Sequence, residues 1–261
     1  AALLGVIDGL SLNPKATVLA LGGEKALTFW TMFSTWCAGG LLFSLSLRHL
    51  SPHWALAAVL IFLSTPAVIY GGGSGQVEVR LAIFAMLCAF AVGLAIKTQD
   101  WRFAIVAGLA AGFFVAGKYT GLLFATAAGC VILCQRDWFK HGTVMALVGL
   151  ITGAQWYFWN WTHTGDPFFP VFYEALKDIV SYQYWDQSLA DHLKERYFLQ
   201  ETPVSRSLFG LISYPFLATL SPFRQFDSGR TGLGPFLFLL LPFVVVSLFV
   251  YRSRLSSHPL F

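Results

Sequence analysis

Long apolar runs separated by short polar breaks set the pattern of this chain. Seven runs, roughly 26–47, 54–70, 79–96, 103–117, 119–134, 142–159 and 232–251, reach or approach the length of a bilayer crossing. A spanning helix needs about 17–25 residues that are mostly apolar. The pattern predicts an all-α, polytopic membrane protein with about seven transmembrane helices. The fourth and fifth runs meet at "AGKYTGLLF", residues 116–124, with Lys118 between them. One helix over 103–134 would be about 48 Å long, well beyond the hydrocarbon thickness of about 30 Å. Two helices in a tight hairpin, turning at "GKYTG", are expected instead. The glycines of "YGGGSGQVEVRLAIF", 70–84, predict a flexible turn before the third span.

The sixth and seventh spans are separated by about 70 residues. Gly165, Pro167 and Pro170 exclude a helix at the start of this segment. Over 171–198 the spacing turns helical, with Phe172, Leu176, Ile179 and Val180 on one side and Glu174, Lys177 and Asp178 around the rest. The stretch "LFGLISYPFLATL", 208–220, is apolar but short and interrupted by Pro215, and predicts an interfacial or re-entrant helix. Together these two segments are expected to form a lid. The expected organisation is a six-span bundle over 1–159, a large outer (periplasmic) loop with amphipathic helices over 160–231, and a last span with a cytoplasmic tail over 232–261. Residue 1 already lies in apolar sequence with no basic leader and cleavage site before it, so a start inside something larger is expected.

Composition agrees with the pattern. The chain is 56% hydrophobic and 11% charged, against about 25% charged in soluble domains, and its mean hydropathy is +0.65. Charge placement then orients the spans. The pieces 48–53, 97–102, 135–141 and 252–261 hold seven Lys and Arg, whereas the short connections opposite hold two, Arg80 and Lys118. Lys and Arg favour cytoplasmic loops. This sets the C-terminus in the cytoplasm and the 160–231 segment outside. Trp54, Trp101 and Trp138 mark inner ends, and Tyr70, Tyr119, Tyr157 and Trp161 mark outer ends, as interfacial rings do. No basic stripe appears outside the loops, so nucleic acid is not an expected partner. Cys37, Cys88, Cys130 and Cys134 all fall in apolar runs and read as small buried hydrophobes.

The candidate chemistry gathers at outer span ends. Glu78 is a candidate general base or metal ligand, or a loop acid paired with Arg80. Lys118 is a candidate for a lipid phosphate, or a side chain that snorkels to the headgroups. Asp166 is a candidate ligand or acid, or a turn residue before Pro167. His163 stands near it in sequence. His49 and His53 share a helical spacing, but Pro52 and their inner position argue against a metal site.

Four stretches, in this order, resemble the GT-C superfamily of membrane glycosyltransferases, in the branch of protein O-mannosyltransferases and aminoarabinose transferases. They are "LSTPAVIYGGGSGQVEVRLAIF", "GLAAGFFVAGKYTGLL", "NWTHTGDPFFPVF" and "LFGLISYPFLATLSPFRQFDSGRTGLGPFLFLLLPF". The resemblance implies transfer of a sugar from a polyprenyl-phosphate donor on the outer face of the bacterial inner membrane. It implies Glu78 as catalytic residue and Arg80, Lys118, Asn160, His163 and Asp166 as substrate-binding residues. It names no required cofactor and leaves a divalent metal open, with no metal ligands assigned. Glu78 stands where an aspartate is frequent, and Trp159 where an arginine is common. The chain is expected to lack the superfamily's first span and first outer loop, which carry the main catalytic aspartate. A competing expectation follows from that departure: a non-catalytic membrane subunit, a scaffold for protein partners in a larger complex.

Overall fold

The structure is a computed structural model and describes residues 14–74, 77–180, 182, 185–195, 207–220 and 234–250. All its regular elements are helices, and no strand occurs among the described residues. They run α1 (Pro14–Ser46), α2 (Pro52–Ser64), α3 (Pro66–Gly73), α4 (Glu78–Thr98), α5 (Trp101–Gly117), α6 (Thr120–Leu133), α7 (Trp138–Gly153), α8 (Gln155–Thr164), α9 (Tyr173–Leu176), α10 (Gln187–Lys194), α11 (Leu208–Leu220) and α12 (Gly234–Val250). Among the described residues, two helical stretches can cross a membrane by length and composition, Val18–Ser46 and Glu78–Thr98. The pair α2 and α3, bent by 65° at Thr65, makes a third if it is one span. The bend has a local cause: Pro66 keeps Thr65 extended (ψ 126°) by disfavouring the helical region in the residue before it. The other apolar runs fold as shorter helices, α5 and α6 among them.

The glycine run departs from its expected turn. Gly71, Gly72 and Gly73 all lie in α3, and the first two are buried. A Cβ on Gly72 would stand 2.6 Å from the Thr35 hydroxyl, so the glycine lets α3 approach α1. The turn itself begins at Ser74, whose N–H caps the Tyr70 carbonyl.

The core lies among α4, α5, α6 and α7 and is built of small side chains: Cys88, Ala91, Ala104, Ala107, Ala110, Ala111, Ile132 and Met145. The closest pair is α5 with α7. A Cβ on Gly108 would meet the Met145 carbonyl at 2.7 Å, and one on Gly112 the Gly149 carbonyl at 2.6 Å. Lipid tails are as apolar as leucine, so helices in a bilayer gain by close packing, which small residues permit. The expected hairpin forms: Lys118 leaves α5 extended (φ −164°, ψ 143°), and Gly121 packs directly on the Phe114 backbone.

Residues 171–198 correct the expectation of one amphipathic helix. The described part of this segment, 171–180, 182 and 185–195, holds two separate helices, α9 and α10, whose side chains meet, and 196–198 lie outside the described residues. In one helix Glu174 and Gln187 would be about 20 Å apart, yet Gln187 Nε2 donates to Glu174 Oε1 at 2.9 Å. Lys177 closes the clasp with bonds to Glu174 Oε2 and Gln187 Oε1, both 2.9 Å. Asp186 starts α10 anew by accepting the Leu189 N–H at 2.8 Å, as an N-cap does. Trp185 packs edge-on to Phe169 and Tyr173, and Tyr182 lies tilted against both. Helical periodicity was present, but the aromatic residues bury more area packed on Phe169 than strung along an exposed rod. The 208–220 segment is helical through Pro215 as α11. Its Leu208, Phe209 and Leu211 are exposed, and it packs against α12.

Candidate active site at the helix ends

Glu78 opens α4, where the helix dipole favours an acid. Lys118 caps α5 one hairpin away. Its Nζ stands 3.1 Å from Glu78 Oε1, with both side chains about half exposed. Arg80 is the third residue of α4, within range of Glu78's charge. Its Nε is buried with no hydrogen-bond partner. The structure therefore gathers Glu78, Arg80 and Lys118 at one end of the bundle.

A second cluster begins at the next residue along. Asn160, 2% exposed, donates from Nδ2 to the Tyr119 hydroxyl at 3.1 Å and to the Pro167 and Phe169 carbonyls at 3.4 Å. The Tyr119 hydroxyl donates in turn to the Phe169 carbonyl. Asp166 is fully buried. Its Oδ1 accepts the Phe168 N–H at 2.8 Å and its Oδ2 the Tyr182 hydroxyl at 3.3 Å. Burial, and then the Asp166 charge, push the Tyr182 phenol up to about 12, so it stays a neutral donor. Thr164 binds the Asn160 carbonyl at 2.7 Å and also accepts the Asp166 N–H at 3.1 Å. Gly165 ends α8 at φ 75°, a conformation glycine adopts without strain. The segment "NWTHTGDPFFP" is thus a knot that ties the chain after α8 onto the Lys118–Tyr119 turn.

His163 stays on α8. Its ring stacks on Trp159 at 4.3 Å and its Nδ1 meets the Trp159 carbonyl at 2.9 Å. Trp156 continues the column, stacked on Trp159 at 5.1 Å. Among the described residues no three His, Cys, Asp or Glu side chains converge as a metal donor set, and the cysteines are free thiols. Tyr119 and Tyr182 were missed as site-forming residues by the sequence reading. Tyr119 looked like one more interfacial ring. Its adjacency to Lys118 was the available signal.

The comparison with known families now bears on this geometry. The model of glycosyltransferase family 87 matches residues 16–261, which takes in all the helices above but for the first two residues of α1. The chain belongs to glycosyltransferase family 87. No curated protein and no solved structure matches it. With its apolar helices, this family 87 chain is a membrane protein of glycosyltransferase type. The Glu78–Lys118 pair and the Asn160 knot both fall inside the matched region.

Proposed function

We propose that this family 87 member transfers a sugar from a polyprenyl-phosphate donor, at the outer ends of its helices, on the periplasmic side of a bacterial inner membrane. The proposal includes seven spans of GT-C type, the 160–231 segment outside and a cytoplasmic C-terminus. The observation that carries it is the ion pair of Glu78 and Lys118 beside Arg80, since base and phosphate-binding cations stand within one side-chain reach. In the step, the Glu78 carboxylate takes the proton of an acceptor hydroxyl. That oxygen bonds the anomeric carbon, the bond from that carbon to the phosphate oxygen breaks, and polyprenyl phosphate leaves with the electron pair. An ammonium has three N–H donors, so Lys118 can hold Glu78 and a phosphate oxygen together. Arg80 offers further donors to the phosphate. Asn160 acts through Tyr119 and Asp166 through Phe168 and Tyr182, keeping the turn in place, and His163 is proposed as a further substrate-binding residue.

General-base catalysis contributes about 10²–10⁴-fold. Glu78→Gln, assayed in membranes with a radiolabelled polyprenyl-phosphate sugar, should lose activity on that scale. A wild-type rate in that variant would refute the assignment. One observation favours the second reading, a non-catalytic scaffold: the hydrogen bonds of Asn160 and Asp166 go to protein groups. That reading predicts that membranes holding the intact chain transfer no sugar from any polyprenyl-phosphate donor, while the chain co-purifies with a protein partner.

A further inference from the structure

The Glu78–Lys118 contact joins two fixed backbones through two movable side chains. Lys118 donates its N–H to the Phe114 carbonyl at 3.1 Å, and its carbonyl accepts the Gly121 N–H at 2.9 Å. Glu78 is the first residue of α4, and the Val77 carbonyl before it takes the Leu81 N–H at 3.0 Å. The side chains meet at 3.1 Å while remaining about half exposed. An ion pair so open to solvent contributes little to stability. The hairpin is held instead by Gly121, which packs on the Phe114 backbone. The pair can therefore part without loosening α4 or α5, by rotation of the flexible four-carbon lysine stem.

A second anion is what would part it. The ammonium has three donors and can touch two anions together. At hydrogen-bond length from one nitrogen, their oxygens then stand roughly 5 Å apart. Two like charges at that distance repel, so each weakens the other's hold on the nitrogen between them. Glu78 keeps support of its own when Lys118 turns away. It stands at the N-terminus of α4, where the helix dipole favours an anion, and Arg80 is a further cation within range of its charge.

We infer that Lys118 is a shared cation: before the donor binds it holds Glu78, and the donor's phosphate draws it away, releasing the carboxylate to the acceptor hydroxyl. This rests on the polyprenyl-phosphate reading above and adds an order of events to it. An acceptor hydroxyl that arrives first meets a carboxylate engaged by the ammonium. One that arrives after the donor meets a carboxylate ready to take its proton. The ion pair thus ties the base to the presence of a sugar to transfer.

The test titrates wild type, Glu78→Gln, Lys118→Gln and the double variant, each as the full chain in phosphatidylcholine nanodiscs, with a long-chain polyprenyl phosphate. Lys118→Gln should bind it at least about tenfold more weakly, having lost a charge-assisted bond. Glu78→Gln should bind it about three- to fivefold more tightly, because no carboxylate competes for the ammonium. In the Lys118→Gln background the same change at Glu78 should have no effect. A difference infrared spectrum taken on adding the lipid should show a shifted carboxylate band in wild type that Glu78→Gln lacks. If Lys118→Gln lowers the melting temperature, Lys118→Met carries the comparison. Tighter binding by Glu78→Gln in both backgrounds would mean plain repulsion between carboxylate and phosphate, and would overturn the sharing of Lys118. Binding by Glu78→Gln equal to or weaker than wild type would overturn it as well, and a loss in Lys118→Gln would then still uphold the phosphate reading. If Lys118→Gln binds like wild type, the phosphate reading itself fails, and the shared cation with it.

Discussion

Replacing Asn160 by alanine separates a residue that holds the site together from one that touches substrate. The side chain is 2% exposed. Its Nδ2 serves three acceptors: the Tyr119 hydroxyl at 3.1 Å and the Pro167 and Phe169 carbonyls at 3.4 Å. A neutral hydrogen bond contributes about 1 kcal/mol net, and a buried acceptor left unpaired costs about 1–3 kcal/mol. The two contacts at 3.4 Å are long and count for less. The Phe169 carbonyl also keeps the Tyr119 hydroxyl, so the unpaired group is chiefly the Pro167 carbonyl. The sum is about 2 kcal/mol, a factor of about 30 in a local opening equilibrium. Amide exchange of 165–173 in detergent micelles reads this directly and should speed up by about that factor in Asn160→Ala. The Trp138 end of α7, far from the knot, should not change. Wild-type exchange in the knot, together with lost sugar transfer, would refute the structural account and make Asn160 a direct substrate contact.

Gly112→Val should lower the stability of the α5–α7 pair by about 1–3 kcal/mol through overpacking, because its side chain would enter the Gly149 carbonyl and Thr152. A melting temperature equal to wild type would show that the two helices stand further apart. Hydrogen bonds from Lys177, then Gln187, hold the Glu174 carboxyl below its ordinary value of 4.5. A depressed acid lends order above its unfolded pKa, and that order is lost as pH falls through the folded value. A spin label on Ser188→Cys should therefore become more mobile as pH drops from about 6 to about 3, and mobility that stays flat over that window would exclude the clasp. For topology, the same cysteine at 188 and one at Ser256→Cys should react with an impermeant thiol reagent from opposite sides of the membrane. Reaction of both from one side would overturn the orientation.

Much of the architecture was legible along the chain, because each determinant is local. Apolar run length alone announces a helix that needs lipid, and the positions of α4, α5 and α6 follow from it within a few residues. Lys118 between Gly117 and Tyr119 marks the hairpin, since a helix through it would overrun the bilayer. Gly165, Pro167 and Pro170 end α8 by backbone constraint, whatever surrounds them. The sharing of charges between loops proposes which ends face out without any coordinates. What the chain could not show depends on which surfaces meet. Gly71 and Gly72 look like a turn, yet they lie in α3, where Gly72 lets Thr35 of α1 approach and Gly71 packs against Val79. Residues 171–198 carry helical spacing, yet α9 and α10 are separate helices because Trp185 and Tyr182 find Phe169 and Tyr173. Asn160 and Asp166 have the residue types of a ligand site, and only their buried partners reveal a knot. Glu78 and Lys118 are 40 residues apart. That Lys118 lies within reach of Glu78 or Arg80 is expected from their places at span ends, whereas the 3.1 Å contact with Glu78 comes from the packing of α4 on α5.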